Sequence, residues 1–140
     1  MILTMEEYKS IAHAKTRIRY HLVFSTKYRR KCLTGIEDCV YSAFRKVESE
    51  SDFSIIDMAI EDGDHIHLAI TFKPSLSILQ VVRRIKQMTT WIIWIIWIEC
   101  GSKLRRFYWN RKVLWSGGYF VSTIGSVSDK TVLRYIQKQK

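Results

Sequence analysis

Four segments of the chain predict β-strands, because apolar side chains alternate with polar ones or because β-branched and aromatic residues dominate. They are residues 17–25, 53–60, 65–72 and 119–124. The turn Glu61-Asp-Gly-Asp64 joins the second strand to the third and predicts a β-hairpin. A basic turn that contains an aromatic residue, Lys27-Tyr-Arg-Arg-Lys31, follows the first strand.

Helical spacing of apolar residues predicts three helices. The first follows a capping box at Thr34–Glu37, the second follows one at Ser77–Gln80 and runs to about Ile98, and the third covers residues 129–139. Gly101 is expected to end the second helix or to break it. The order strand, helix, hairpin, helix, strand, helix predicts an α+β fold. We expect a ferredoxin-like (RRM-like) antiparallel sheet covered by helices.

Composition predicts one globular domain with an acidic partner. Of the 140 residues, 47% are apolar, which is enough for a hydrophobic core and too many for intrinsic disorder. We therefore expect a single domain over residues 1–140. The net charge is +10, and nucleic acid is the commonest acidic partner of such a protein. The charge is uneven, since residues 73–140 carry thirteen bases and two acids, whereas residues 51–72 carry five acids and no base.

Cysteine usage and apolar runs predict a cytoplasmic protein that does not enter a membrane. Cys32, Cys39 and Cys100 are odd in number and form no CxxC pair, which argues against a disulfide framework and a zinc site. Residues 1–10 lack the apolar core of a secretion signal. The apolar run at residues 88–98 has eleven uncharged residues, fewer than the roughly 18–20 of a spanning helix, so a core or interface helix is favoured over membrane insertion.

A pair of histidines on the third predicted strand is a candidate metal site. Side chains at positions i and i+2 of a strand share a face, so His65 and His67 can direct their nitrogens to one cation. Glu61, Asp62 and Asp64 would attract a divalent ion and order it through water or second-shell contacts. The alternative is a pair of ordinary strand histidines beside a solvated acidic turn.

A tyrosine near the end of the chain is a candidate nucleophile. Tyr135 and Gln139 are four residues apart and share one face of the last predicted helix. Tyrosine can form covalent intermediates, and glutamine offers a neutral oxygen to a cation. The alternative is a surface tyrosine on a terminal helix.

Together, the His-hydrophobic-His and Tyr-x-x-x-Gln motifs resemble those of the single-tyrosine HUH transposases of single-strand insertion sequences, the insertion-sequence-200-like family. Further similar segments occur in order along the chain. They are residues 19–30 (opening strand and basic turn), 77–86 (central helix), 114–125 (late strand) and 135–139 (catalytic helix). One departure is the run at residues 91–98, which is far more apolar than the mixed, amphipathic sequence of the family.

The resemblance implies a metal-dependent enzyme that cuts and rejoins single-stranded DNA at insertion-sequence ends. His65, His67 and Gln139 would bind Mg²⁺ or Mn²⁺, and Tyr135, on a C-terminal catalytic helix, would form a 5′-phosphotyrosine. It also implies a homodimer with active sites that can be shared between subunits, and imperfect DNA hairpins as substrate.

Basic and aromatic residues predict the DNA-binding surface. Basic side chains would contact phosphates and make the affinity salt-dependent, and exposed aromatic rings would stack on unpaired bases. The candidates are Lys27, Tyr28, Arg29, Arg30, Arg83, Arg84, Lys86, Arg105 and Arg106, with Arg111, Lys112, Tyr108 and Trp109 as further members. For each aromatic residue core packing is the alternative, and for the bases a solvated surface.

Two other functions compete with the transposase. One is a non-catalytic ferredoxin-like module that binds RNA or DNA. The other is a replication-initiator or relaxase-type HUH nickase, which shares the histidine pair and the tyrosine chemistry.

Overall fold

The computed structural model describes residues 18–124, which form four strands and three helices. The strands are β1 (Arg19–Ser25), β2 (Phe53–Glu61), β3 (His65–Phe72) and β4 (Phe120–Ile124). The helices are α1 (Glu37–Ser49), α2 (Ile78–Trp91) and α3 (Ile98–Tyr108). A 3-10 turn (Lys27–Arg29) follows β1, and a π-helical turn (Ile92–Ile96) joins α2 to α3.

The four strands form one antiparallel sheet in the order β2-β3-β1-β4. β1 and β3 are central, and the predicted hairpin is the pair β2–β3. This order and the helices packed against the sheet confirm the predicted α+β, ferredoxin-like fold. The predicted third helix, residues 129–139, lies outside the described residues.

The sheet has two chemically different faces because side chains alternate along each strand. Leu22 and Phe24 of β1 and Ile66 and Leu68 of β3 are fully buried in the core beneath the helices. The residues between them point the other way. We call that side the histidine face, after His21, His65 and His67, and it also carries Glu61.

The hairpin turn depends on Gly63, which permits a positive φ and a close approach to the neighbouring segment of the chain. Asp62 and Gly63 both have positive φ, 56° and 69°, as the tight two-residue hairpin turns require. A side chain at Gly63 would overlap the hydroxyl of Thr34, and the carbonyl of Gly63 accepts a hydrogen bond from the Leu33 N–H at 3.0 Å. The turn therefore keeps Glu61 opposite His65.

The helix starts agree with the sequence analysis at one capping box and differ at the other. Ser77 and Gln80 form the predicted capping box of α2. The box predicted at Thr34 is wrong, because α1 begins at Glu37 with Ile36 in the capping position and no side-chain cap. The carboxylate of Glu37 instead accepts a hydrogen bond from the N–H of Gly35 at 2.6 Å.

The end of the second helix also differs from the prediction. α2 ends at Trp91, and Gly101 lies inside α3 rather than at a helix end. A Cβ at Gly101 would lie 3.0 Å from the carbonyl oxygen of Trp94 and 3.1 Å from that of Ile93. This glycine therefore allows α3 to approach the π-helical turn closely, a role that spacing along the chain does not reveal.

The apolar run packs partly into the core. Ile92, Ile93 and Trp94 are buried, in agreement with a core helix, while Trp91 and Ile95 remain 49% and 40% exposed. Within residues 18–124 no helix combines the length and apolar character needed to cross a membrane.

One disulfide contradicts the expectation from cysteine count. Cys39 of α1 and Cys100 of α3 are bonded to each other, and Cys32 is a buried thiol. The count was a poor guide because a single pair needs only two cysteines that the fold brings together, here 61 residues apart in sequence.

Candidate metal centre

The β2–β3 hairpin brings three metal-binding side chains together on the histidine face. Glu61 ends β2 directly opposite His65, and His67 lies two residues further along β3 on the same face. One ligand atom from each of the three residues lies within 4.8 Å of the others. The two histidines were predicted from the sequence as metal ligands, whereas Glu61 was expected only to attract the ion and order it indirectly.

Both histidines direct the same ring nitrogen to one carboxylate. The Nε2 atom of His65 is 3.3 Å from Oε1 of Glu61, and Nε2 of His67 is 3.1 Å from Oε2. His67 is almost fully buried, and His65 and Glu61 are half-buried. Burial of this kind strengthens the attraction between a cation and a carboxylate, because less water screens it.

The other ring nitrogen of His65 contacts an acidic residue. Nδ1 of His65 is 2.6 Å from Oδ1 of Asp64, and Arg29 approaches the second oxygen of Asp64 at 3.7 Å. A carboxylate on Nδ1 keeps the proton there and leaves Nε2 as the ligand atom. Asp64 therefore contacts a histidine of the candidate site through the nitrogen that does not face Glu61.

The other ring nitrogen of His67 contacts a third histidine. Nε2 of His21 lies 3.0 Å from Nδ1 of His67, and the two rings are stacked with centroids 5.3 Å apart. Burial lowers the pKa of both rings, and their mutual proximity lowers that of His21 further. Burial therefore favours the neutral form of both imidazoles, the form that binds metals.

His21 was not among the residues predicted from the sequence to belong to the site. The available signal was its place in the first predicted strand, where it alternates with the core residues Leu22 and Phe24. That alternation puts His21 on the opposite face, but only the sheet order shows that β1 lies beside β3 there.

A cleft of about 560 Å³ opens beside the histidine pair. Arg29 lines it together with Ser116, Gly118, Tyr119 and Phe120. The ring of Phe120 is 56% exposed and meets the edge of His21 at 6.0 Å. The cleft thus combines metal-binding, cationic and aromatic groups.

The basic turn lies next to this cleft. The Thr26 N–H donates to the carbonyl of Asp64 at 2.8 Å, which ties the turn to the hairpin. Tyr28 is 60% exposed, and Arg111 lies over its ring and donates to its hydroxyl at 3.0 Å. This hydrogen bond and the charge of Arg111 lower the pKa of Tyr28. Lys27, Arg29 and Arg30 belong to the same turn.

Two of the predicted DNA contacts on α2 are engaged within the protein. Arg84 donates to the hydroxyl of Ser51 at 2.6 Å and to the carbonyl of Glu50 at 2.9 Å. Lys86 donates to the carbonyls of Ser116 at 2.8 Å and Gly118 at 2.7 Å, so it holds two residues that line the cleft.

The remaining candidates are divided between surface and core. Arg83 on α2 and Arg105 and Arg106 on α3 are exposed. Trp109 is 80% exposed, whereas Tyr108 is buried and donates to the carbonyl of Lys27 at 2.7 Å. For Tyr108 the core alternative is therefore correct. Tyr135 and Gln139 lie outside the described residues.

Comparison with known proteins gives the family. A family model described as "Transposase IS200 like" matches residues 14–139. The transposase for insertion sequence element IS200 of Salmonella typhimurium is 30% identical over 136 residues, which cover 96% of this chain and 85% of that protein. The ISDra2 transposase TnpA of Deinococcus radiodurans is 24% identical over 124 residues, covering 88% and 84%.

Two solved structures have the same fold. A Deinococcus radiodurans R1 protein described as a transposase superimposes with a TM-score of 0.67 at 22% identity, over 88% of this chain and 91% of that one. A REP-associated tyrosine transposase bound to a REP hairpin gives 0.61 at 19% identity, over 85% and 64%. Because the family model spans nearly the whole chain, the resemblance found in the sequence is confirmed, and the chain belongs to the IS200-like transposase family.

Proposed function

We propose that this transposase cleaves and rejoins single-stranded DNA at insertion-sequence ends through a 5′-phosphotyrosine intermediate. One observation carries the proposal, namely that donor atoms of His65, His67 and Glu61 lie within 4.8 Å of one another beside a cleft that Arg29 also lines. Membership of the family supplies the class of reaction, since a transposase cuts and transfers DNA strands.

The donor set fits Mg²⁺ or Mn²⁺. Imidazole nitrogens suit first-row divalent cations, and carboxylate oxygens suit both ions. His65, His67 and Glu61 would hold the cation, and Gln139, the ligand implied by the family resemblance, would add a neutral oxygen. When bound, the cation neutralises charge on the scissile phosphate and fixes its orientation.

Tyr135 is the proposed nucleophile. Its phenolic oxygen attacks the scissile phosphorus, and the bond from phosphorus to the 3′ oxygen breaks. The phenol loses one proton to water or DNA and the departing 3′ oxygen gains one, so the products are a 5′-phosphotyrosine and a 3′-hydroxyl. Attack by a second 3′-hydroxyl reverses these changes and joins new ends without an external energy source.

The proposed substrate is a single strand with imperfect hairpins. A relative of the same fold has been solved with a REP hairpin bound. In this chain the turn that contains Lys27, Arg29 and Arg30 borders the cleft and offers positive charge to phosphates. The exposed rings of Tyr28 and Trp109 are available for stacking on bases.

The proposed assembly is a homodimer. Each subunit is a single domain, residues 1–140, and the protein acts in the prokaryotic cytoplasm. The helix that carries Tyr135 would complete the histidine site of its own subunit or of its partner.

The test is formation of a covalent protein–DNA adduct. The full chain is incubated with Mg²⁺ or Mn²⁺ and single-stranded oligonucleotides that copy the DNA flanking its gene. We expect an adduct that survives denaturation, disappears in Tyr135→Phe and disappears in chelator. In His67→Ala cleavage should fall below detection while hairpin binding stays within a few-fold, because the imidazole contributes to the metal site rather than to the hairpin contacts.

Each other outcome identifies a different function. Hairpin binding without an adduct at any flanking end would identify a non-catalytic nucleic-acid-binding protein. Cleavage with an adduct but no joining of a second 3′ end would identify a nickase of the replication-initiator or relaxase type. Cleavage that persists in chelator would refute the metal site.

A further inference from the structure

The contact between His21 and His67 places two imidazole rings nitrogen to nitrogen. Nε2 of His21 is 3.0 Å from Nδ1 of His67, and the rings are inclined by only 15°. At this distance the lone pairs of two unprotonated nitrogens would repel each other, and the hydrogens of two protonated nitrogens would overlap. The contact is favourable only when a single hydrogen lies between them.

The rest of the site decides which nitrogen carries that hydrogen. Nε2 of His67 lies 3.1 Å from the carboxylate of Glu61, and when the proposed cation is bound this nitrogen must offer it a lone pair. A neutral imidazole has one N–H, and in His67 that N–H is therefore at Nδ1. His21 must then accept through Nε2 and carry its own hydrogen at Nδ1.

We propose that His21 is a positioning residue that fixes the tautomer and ring orientation of His67 for divalent-cation binding. The inference rests on the proposed metal site and adds to it a residue that lies outside the ligand set. Asp64 has the same role for His65, but through a carboxylate. The two ligand histidines therefore differ in what orients them, since one contacts an anion and the other a neutral ring.

His21 is itself held in place from the other side. The ring of Phe120 meets it edge-on at 6.0 Å, and β1 carries it between β3 and β4. Its position thus comes from the centre of the sheet, and it reaches His67 diagonally, since the direct Cα partners are Ala69 for His21 and Val23 for His67. A residue placed in this way can orient a ligand before any metal or DNA is present.

The test measures Mn²⁺ affinity of the full chain without DNA, by the electron paramagnetic resonance signal of unbound Mn²⁺ at fixed pH. His21→Phe keeps an aromatic ring against His67 and Phe120 but has no acceptor. We expect its Mn²⁺ affinity to fall by about tenfold or more, as is usual when the partner of a ligand histidine is lost. His21→Gln places an amide oxygen near the position of Nε2. Its Mn²⁺ affinity should stay within about threefold of that of the wild type, a smaller loss than is usual when a ligand histidine has no hydrogen-bond partner.

Control variants separate the possible failures. Ser122→Ala alters the β4 residue opposite His21 without touching the imidazole pair and should bind Mn²⁺ as the wild type does. His67→Ala should lose binding altogether. If His67→Ala binds normally, the proposed metal site is wrong. If His67→Ala fails to bind but His21→Phe binds normally, the metal site stands and the role of His21 is wrong.

The glutamine variant tests the acceptor itself. Equal losses in His21→Gln and His21→Phe, with unchanged melting temperatures, would show that ring packing rather than hydrogen-bond acceptance matters, and would overturn the proposal. If His21→Phe does not fold, His21→Asn replaces it, since the shorter amide does not reach Nδ1 of His67. Weaker Mn²⁺ binding by His21→Asn than by His21→Gln then supports the proposal, and equal binding overturns it.

Discussion

Two basic segments of this transposase look alike in sequence and differ in structure. The turn at residues 27–30 and the stretch of α2 at residues 83–86 each contain three cationic side chains. In the turn, Arg29 lines the cleft and Arg30 is exposed. On α2, the exposed Arg84 and the half-buried Lys86 donate to oxygens of the protein itself. A run of positive charge therefore does not by itself identify a DNA contact.

The difference follows from what lies within reach of each side chain. Lys86 is half-buried between the rings of Phe24 and Tyr119, 5.4 and 5.6 Å from its ammonium group. Burial lowers the pKa of Lys86, and the carbonyls of Ser116 and Gly118 replace part of its lost hydration. The turn has no such layer above it at Arg30, which remains exposed to solvent.

The largest effect that separates the two basic segments is a loss of stability, which is expected for Lys86→Met. This change leaves two carbonyls without their charged donor, so the free energy of unfolding should fall by about 2 kcal/mol. The wall of the cleft at Ser116–Gly118 should loosen, while the salt dependence of hairpin binding stays unchanged. Chemical denaturation and salt titration measure the two quantities.

The matched control is Arg83→Met, which removes an exposed charge three residues earlier on the same helix. Its stability should match the wild type. A reduced salt dependence in Lys86→Met, with unaltered stability, would show that Lys86 does contact phosphate and would remove the distinction between the two segments.

A smaller effect, on DNA affinity, is expected for Tyr28, which belongs to the turn at residues 27–30. The ring is exposed and Arg111 lies over it, so it presents a cationic, aromatic surface for an unpaired base. Tyr28→Ala should weaken binding of single-stranded hairpin DNA by about tenfold, within the range of one lost base stack. Gel-shift titration at constant salt measures the change.

Tyr28→Phe separates stacking from the hydroxyl contact. It keeps the ring but loses the hydrogen bond from Arg111, so its DNA affinity should stay near that of the wild type. An equal loss in both variants would assign the effect to the placement of Arg111 instead of to stacking.

The features that the sequence predicts correctly are those decided by chain-local rules. The two-residue repeat of strands puts His65 and His67 on one face, and the positive φ that Gly63 permits closes the hairpin beside them. Both predictions depend on residues fewer than ten positions apart. The ferredoxin-like order of the elements follows from the same local patterns together with the few ways in which such elements pack.

Features that join distant parts of the chain were missed. His21 meets His67 across 46 residues, and Cys39 meets Cys100 across 61. Neither contact can be predicted until the sheet order and the helix packing are known. Glu61 was underestimated for a different reason, since it is close to both histidines in sequence but its direct approach to them depends on the register of the hairpin.

The smallest expected effect is the most direct comparison of the two segments, Arg30→Met against Arg84→Met. Arg30→Met should reduce the slope of log affinity against log salt by just under one, as expected for one lost phosphate contact, and leave stability unchanged. Arg84→Met should leave that slope unchanged and lower the free energy of unfolding by about 1 kcal/mol, because the hydrogen bonds to Ser51 and Glu50 are lost. Both arginines are exposed, so identical slopes for the two variants would mean that internal hydrogen bonding does not sort the cations, and that both segments, or neither, bind DNA.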